Sequence, residues 1–326
     1  MSNEYFLGVD TSNYTTSLAV VDKQAKLTAE SRKLLPVEKG KRGLRQSEAL
    51  FWHVQNLPNA VQEITQLLPG FHHQLRAVAV SVKPRPRADS YMPVFLPGKA
   101  LAQSLAALLE VPYYDLSHQE NHIWAGLVDA GGPKSNRFIA LHLSGGTSEI
   151  LDVYLNRKDF HFKVVTLGGT TDLHAGQFID RVGVAIGLPF PAGTHLEKLA
   201  LESRADLIIP SFHRNGEISF AGPESAAMRM LEIESHADIA RAVLLNISRT
   251  VTKLINWAAE KTGVKQVLLV GGVCANLIIR QELQLRLPNL DLYFAAPGRS
   301  VDNAFGAALF CGLCYRGESF FGNFFE

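Results

Sequence analysis

One order of predicted elements runs twice along this chain, and that repetition limits its fold more than any other feature. In the first half, residues 5–10, 15–21 and 27–35 are β-rich runs separated by turn residues, the pattern of a three-stranded antiparallel meander. A basic, glycine-containing loop at 37–45 follows, and then a helix over 47–68, bent or restarted at Pro58. Residues 77–82 read as a buried strand, 98–109 as a helix and 111–116 as another strand, after which Ser117 is placed to cap a further helix. Beyond Gly131-Gly132-Pro133 the pattern restarts with strands at 138–144, 148–155 and 160–167. Helices at 173–186, 194–203 and 237–262 come next, then strand 266–270, helix 275–287, strand 291–295 and a helix from Asp302. Strands first and alternating helix and strand afterwards, in both halves, predict duplicated α/β domains facing each other across a cleft. We place them at 1–134 and 135–326, with the last helix packing back on the first domain.

A chain of 326 residues that is 47% hydrophobic can fill two cores. Its net charge of +1 does not announce a nucleic-acid binder, so such a role would need a local patch. Arg32, Lys33, Lys39, Lys41, Arg42 and Arg45, with Lys83, Arg85 and Arg87, crowd into the first half. They are either a phosphate-binding patch or solvated loop charges. The amino terminus lacks the basic and apolar sequence of a signal peptide, and no stretch approaches the ~20 apolar residues that cross a bilayer. Three cysteines suit a reducing compartment, so a soluble cytoplasmic protein is expected. Cys311 and Cys314 are a redox or metal pair, or two small buried residues of the last helix; without a second pair the latter is favoured. The tail 320–325, rich in phenylalanine, is core packing or a docking face.

His118-Gln119-Glu120-Asn121-His122 carries the clearest chemistry. On a helix, histidines four apart share one face and can bind one metal. A hydrolytic zinc protease has its general base directly after the first histidine, and here that place holds the amide of Gln119. A metal that orients or polarises an oxygen-rich ligand remains. Three glycine turns point to a nucleotide. Ser144-Gly145-Gly146-Thr147 lies between two strands, Gly168-Gly169-Thr170-Thr171 precedes a helix, and Gly271-Gly272 joins a strand to a helix with Asn276 in its first turn. Taken alone, the Ser-Gly-Gly turn is equally an ordinary hairpin. Asp180 holds a ribose or a metal-bound water, or is a solvated helix carboxylate, and Asp302-Asn303 opens the final helix, where an N-cap is the plainer reading.

Together these residues resemble the catalytic subunit family of tRNA threonylcarbamoyladenosine synthase, formerly called O-sialoglycoprotein endopeptidase. The resemblance runs from Gly8-Val9-Asp10-Thr11-Ser12 to about Ala308. It takes in both histidines, Ser144-Gly145-Gly146, the helix motif from Gly176 to Asp180-Arg181, Gly193, the Gly-Gly-Val-x-Ala-Asn run from Gly271 to Asn276, and Val301-Asp302-Asn303. It implies a duplicated actin-like ATPase fold, the fold of sugar kinases, Hsp70 and actin. It also implies that His118, His122 and Asp302 hold one divalent metal, iron or zinc. By the same resemblance Ser144, Gly145, Gly146, Thr147, Asp180, Gly193 and Asn276 bind ATP or an adenylate. The implied activity is transfer of a threonylcarbamoyl group from its adenylate to N6 of the adenosine 3′ of the anticodon in tRNA. The implied partners are tRNA, a paralogous actin-like subunit and a small ATPase subunit.

The chain departs from the family pattern on the substrate and partner sides. Lys83-Pro84-Arg85-Pro86-Arg87 replaces a Gly-Pro-Gly-Leu segment that contributes to the partner surface, and Ala221-Gly222-Pro223-Glu224-Ser225 replaces Ser-Gly-Leu-Lys-Thr. Thr147 stands where the family has histidine, and Asp172-Leu173 where it has two aspartates. These changes suit a divergent paralogue. The alternatives to the family reaction are carbamoyl-type transfer to another acceptor and a non-catalytic partner subunit.

Overall fold

The computed structural model describes residues 3–12, 14–36, 44–296 and 303–322. The chain separates into two compact units: Met1–Lys134 with Leu155–Lys163 and Asp302–Glu326, and Ser135–Tyr154 with Val164–Val301.

The first unit is built on β1 (Tyr5–Ser12), β2 (Thr15–Asp22), β3 (Leu27–Leu34), β4 (Leu75–Lys83) and β5 (Tyr113–Ser117), in the order β3-β2-β1-β4-β5. β1 pairs antiparallel with β2 and parallel with β4, which pairs parallel with β5. Every residue of β1 is buried, as a central strand covered on both faces requires. Tyr5, Leu7 and Val9 face the core shared with α1 (Gln46–Leu67) and α2 (Leu96–Leu108), through Leu57, Ala60, Ile64 and Ala102. The alternate residues Phe6 and Gly8 face α9 (Phe305–Arg316). A Cβ on Gly8 would lie 2.3 Å from the Ala304 carbonyl oxygen, so glycine is what allows the start of α9 to rest on the strand. Phe320 packs edge-on against Phe6 at 5.3 Å and is core, while Phe321 beside it is half-buried.

α1 continues through Pro58 as one helix and does not restart there. Leu57, Ala60 and Ile64 on either side of the proline are all buried, and this packing outweighs the single backbone hydrogen bond that proline cannot make. Lys39, Lys41 and Arg42, and the loop reading at 37–43, lie outside the described residues, as does Asp302.

The second unit repeats the plan with β6 (Arg137–Leu143), β7 (Ser148–Leu155), β8 (Phe162–Thr170), β11 (Gln266–Val270) and β12 (Asp291–Phe294). Its sheet order is β12-β11-β6-β7-β8-β10-β9, whose first five strands reproduce the order of the first unit. β9 (Phe212–Arg214) and β10 (Glu217–Ser219) form an added hairpin, with Asn215 (φ 50°) and Gly216 (φ 86°) at its tip. α4 (Ala175–Ala185), α5 (Gly193–Ala200), α6 (Ala221–Met230), α7 (His236–Thr262) and α8 (Leu277–Arg286) complete the unit. The hairpin corrects one expectation. Gly168 and Gly169 are not a turn before a helix but the end of β8, pairing in parallel with β10. A Cβ on Gly168 would lie 2.1 Å from the Gly216 carbonyl oxygen, so these glycines permit a close backbone approach rather than an anion cradle.

No described helix is long and apolar enough to cross a membrane.

Candidate functional site

β5 runs without a loop into α3 (His118–Ala130), and the junction determines where the histidine pair stands. Ser117 is the N-cap, its hydroxyl accepting from the Glu120 backbone N–H at 3.2 Å. Glu120 returns the contact, accepting from the Ser117 backbone N–H at 2.7 Å and completing a capping box. Gly131, in the left-handed region at φ 69°, ends the helix. The helical spacing then brings the Nε2 atoms of His118 and His122 to 3.0 Å, with the rings near edge-on.

Asp10, at the end of β1, accounts for the orientation of the first ring. Its Oδ1 lies 3.0 Å from His118 Nδ1, and the carboxylate is completely buried. Burial pushes the Asp10 carboxyl up, but the charge and hydrogen bond of His118 outweigh it and hold the group below its ordinary range. An ionised carboxylate can only accept, so Nδ1 carries a proton, and in the neutral ring it is then Nε2 that presents a lone pair toward His122. This is the carboxylate–histidine arrangement that supports metal ligands. Two 2.0–2.1 Å metal–nitrogen bonds at a tetrahedral angle put the nitrogens about 3.3 Å apart, close to what is seen here. The donor set therefore fits a metal, and a proton shared between the rings fits the same distance. Among the described residues no group of three or more His, Cys, Asp and Glu side chains is arranged to hold a metal ion. Asp302 lies outside those residues. Its neighbour Asn303 is fixed from α3: the Asn121 amide donates to the Asn303 carbonyl at 2.5 Å and accepts from the Ala307 N–H at 2.7 Å.

In the second unit Ser144 to Thr147 and Gly271 to Asn276 follow the ends of β6 and β11, neighbouring parallel strands, while Asp180 lies on α4 and Gly193 starts α5. Ser144-Gly145-Gly146-Thr147 is the tip of the β6–β7 hairpin, closed by the Ser144 N–H donating to the Thr147 carbonyl at 2.7 Å. The start of α4 is pressed onto this tip: the Gly176 N–H donates to the Ser144 carbonyl at 3.2 Å, and the Ala175 N–H to Ser148 Oγ at 2.9 Å. A Cβ on Gly176 would lie 2.7 Å from the Gly145 nitrogen, so only glycine allows that approach. Gly271, at φ 97°, turns the chain after β11 against the Leu143 carbonyl. On α4, Asp180 Oδ1 accepts from the Ala192 N–H at 2.8 Å, holding the turn before Gly193 at the start of α5. Burial raises the Asp180 carboxyl above its ordinary value, against the lowering effect of that hydrogen bond. Asn276 caps α8, its Oδ1 accepting from the Ile279 N–H at 3.0 Å, and the next N–H, of Leu277, donates to Glu197 of α5 at 2.6 Å. Nothing lies within 4 Å of a Cβ built on Gly145, Gly146, Gly193 or Gly272, so these glycines border open space. That space, beside backbone N–H groups and a helix start, can take a phosphate and its nucleoside.

Asp10 and Asn121 are the residues that sequence reasoning did not assign. Asp10 belongs to a motif already noted, but its partner is 108 positions away. His53 of α1 also lies within electrostatic reach of Asp10, and burial pushes its pKa down to about 4. The cysteines follow the plainer reading. Cys311 is buried in α9, and burial pushes the Cys314 thiol up to about 12, far from a reactive thiolate.

A family model described as tRNA N6-adenosine threonylcarbamoyltransferase matches residues 38–304. A relative with that name from Geobacillus thermodenitrificans is 31% identical over 316 residues, covering 92% of this chain and 88% of the relative. Among solved structures, (R)-2-hydroxyglutaryl-CoA dehydratase component A from Acidaminococcus fermentans superposes with a TM-score of 0.58 at 16% identity, covering 95% of this chain and 98% of that one. A ROK family glucokinase from Streptomyces griseus gives a TM-score of 0.51 at 14% identity, covering 94% and 98% respectively. At such identities the structural likeness speaks for the fold alone, which is that of the actin-like ATPases.

Proposed function

We propose threonylcarbamoyl transfer to tRNA as the reaction of this chain, which belongs to the tRNA N6-adenosine threonylcarbamoyltransferase family. The donor is threonylcarbamoyl-adenylate, and the acceptor is the N6 amine of the adenosine 3′ of the anticodon. One observation carries the reading: the His118–His122 pair is oriented by a buried carboxylate in a chain that matches the family over residues 38–304.

In the transfer, the amine nitrogen bonds to the carbamoyl carbon, the bond from that carbon to the phosphate oxygen breaks, AMP leaves and the amine gives up a proton. Charge develops on the carbamoyl oxygen and on the departing phosphate. His118 and His122, with Asp302, would hold one divalent metal, iron or zinc. When bound it supplies Lewis acidity toward an acyl oxygen and a template for the threonyl carboxylate. The chain's own residues do the rest. Asp10 keeps a proton on His118 Nδ1, so that in the neutral ring Nε2 is the acceptor. Gly145 and Gly146 bring backbone N–H groups toward the phosphate, Ser144 and Thr147 add hydroxyls, and Asp180, Gly193 and Asn276 shape the nucleoside side. No protein nucleophile is required, and burial leaves Cys274 and Cys311 protonated. The reading includes a cytoplasmic setting, a paralogous actin-like subunit and a small ATPase subunit as partners, with residues 83–87 on the partner side.

The test is nucleoside mass spectrometry of unmodified tRNA incubated with the purified chain, its partner subunits, the adenylate and Fe²⁺ or Zn²⁺. Threonylcarbamoyladenosine is the expected product. Unmodified tRNA, under conditions in which the Geobacillus relative modifies it, would count for the other-acceptor or non-catalytic alternatives.

A further inference from the structure

We propose that His161 is a positioning residue for the histidine pair: seated on the Glu120 carboxylate, it fixes the first turn of α3 and thereby the direction in which His118 and His122 point. The inference rests on reading that pair as metal ligands.

Glu120 follows His118 by two positions, about 200° around a helix, so it faces away from the ligand side. It is 2% exposed, and four donors converge on it. Oε2 accepts from the Ser117 backbone N–H and hydroxyl, each at 2.7 Å. Oε1 accepts from His161 Nδ1 at 2.9 Å and from the Phe162 N–H at 3.1 Å. The carboxylate thus ties the cap of α3 to the segment at 156–162. That segment is itself fixed, with the Asn156 N–H donating to the His161 carbonyl at 2.9 Å. The His161 ring lies 5.0 Å from Phe310 of α9, and the Phe162 ring 4.8 Å from Trp124 of α3. His161 is the one basic side chain within hydrogen-bond reach of Glu120 among the described residues.

The electrostatics agree with this role. The Glu120 hydrogen bond holds the His161 imidazole above its ordinary value, against burial, and the carboxylates of Glu120, Asp159 and Asp115 act in the same direction. Asp115, Asp159, Lys158, Tyr114 and Cys314 line the cavity of about 430 Å³ that the ring borders. Removing the imidazole leaves a buried carboxylate short of one of its four donors, a state that proteins relieve by moving backbone or admitting water. A rotation of α3 by ~10° would shift the imidazole nitrogens by roughly 1 Å, enough to spoil a two-histidine ligand set.

The experiment uses the full chain, metal-free, titrated with Co²⁺ alone. Affinity is read by chelator competition and ligand geometry by the visible absorption band. His161→Ala should bind cobalt about 10-fold more weakly with an altered band, and should speed amide exchange at 117–122. His161→Asn, whose amide nitrogen can occupy the place of Nδ1, should restore the band and stay within about 3-fold of wild-type affinity. A His161→Ala variant with wild-type affinity and band would overturn this inference alone. A wild type that binds no cobalt, or binds it equally after loss of both His118 and His122, would overturn the metal reading and this inference with it.

Discussion

β1 and β6 hold the same central place in the two sheets, yet the strand ends that carry the candidate site residues, those of β1 and β5 in the first unit and of β6 and β11 in the second, are finished in opposite ways. In the first unit, side chains close on one another. Asp10 holds His118, His118 meets His122, Glu120 gathers four donors, and Asn121 bonds to the 303–307 segment. In the second unit, side chains withdraw. Gly145, Gly146, Gly193 and Gly272 border open space, and the polar side chains nearby, Asp180 and Asn276, are spent on backbone N–H groups. A duplicated frame has thus produced one corner organised by side-chain hydrogen bonds, suited to hold an ion, and one organised by backbone, suited to receive an anion. Substitutions should therefore act differently in the two. In the first unit they should disturb ligand orientation, and in the second they should either fill empty space or weaken the frame.

The largest expected effect comes from breaking the first corner. His118→Ala or His122→Ala should lower threonylcarbamoyl transfer by ~100-fold or more, and chelation of the wild type should do the same, with little change in melting temperature. Asp10→Asn sharpens the comparison, since it keeps an oxygen near His118 but loses the charge that fixes its tautomer. Metal affinity should fall about 10- to 100-fold by competition titration. In the second unit, Gly145→Val should leave the fold intact and raise the adenylate dissociation constant by roughly 10-fold, because a Cβ there meets nothing within 4 Å. Gly176→Ala should instead destabilise the unit by ~1–3 kcal/mol in denaturant melts, because its Cβ meets the Gly145 backbone. Asn276→Ala should cost about 1 kcal/mol, the loss of one helix cap.

The smallest effect has a pH sign. Burial raises the Asp180 carboxyl above its ordinary value, so between the ordinary and the raised value the folded protein binds more protons than the unfolded chain. Wild type should gain stability relative to Asp180→Asn as pH falls through that window, and the variant should be no less stable at neutral pH. Melting curves across pH 4 to 8 would check this, and a loss of nucleotide affinity in the same variant would separate binding from folding.

Much of the frame could be read from the chain because its signals are local. The Ser117 cap, the i, i+4 histidines and the strand at 266–270 appear where expected, as does the repeated strand plan. What was missed depends on pairings far apart in sequence. Gly168-Gly169-Thr170 carries the composition of a turn, but its partner is the β9–β10 hairpin almost fifty residues on, whose own signal is only Asn215-Gly216 between very short runs. Asp10 and His118 meet across the parallel β1–β4–β5 edge, which hydrophobic periodicity does not encode. Ser117 was legible as a helix cap, whereas the Glu120 carboxylate that answers it and His161 on the other oxygen were not. The candidate nucleotide residues were legible as glycine-rich turns, while Asp180 and Asn276 carry structural duties that sequence alone left open.

The most direct test is metal stoichiometry. Metal-free wild type and the His118→Ala/His122→Ala double variant would each be titrated with Zn²⁺ by calorimetry. The account predicts one tight site per chain in the wild type and none in the double variant, with Gly145→Val indistinguishable from wild type. Equal binding by wild type and double variant, or none by either, would contradict it.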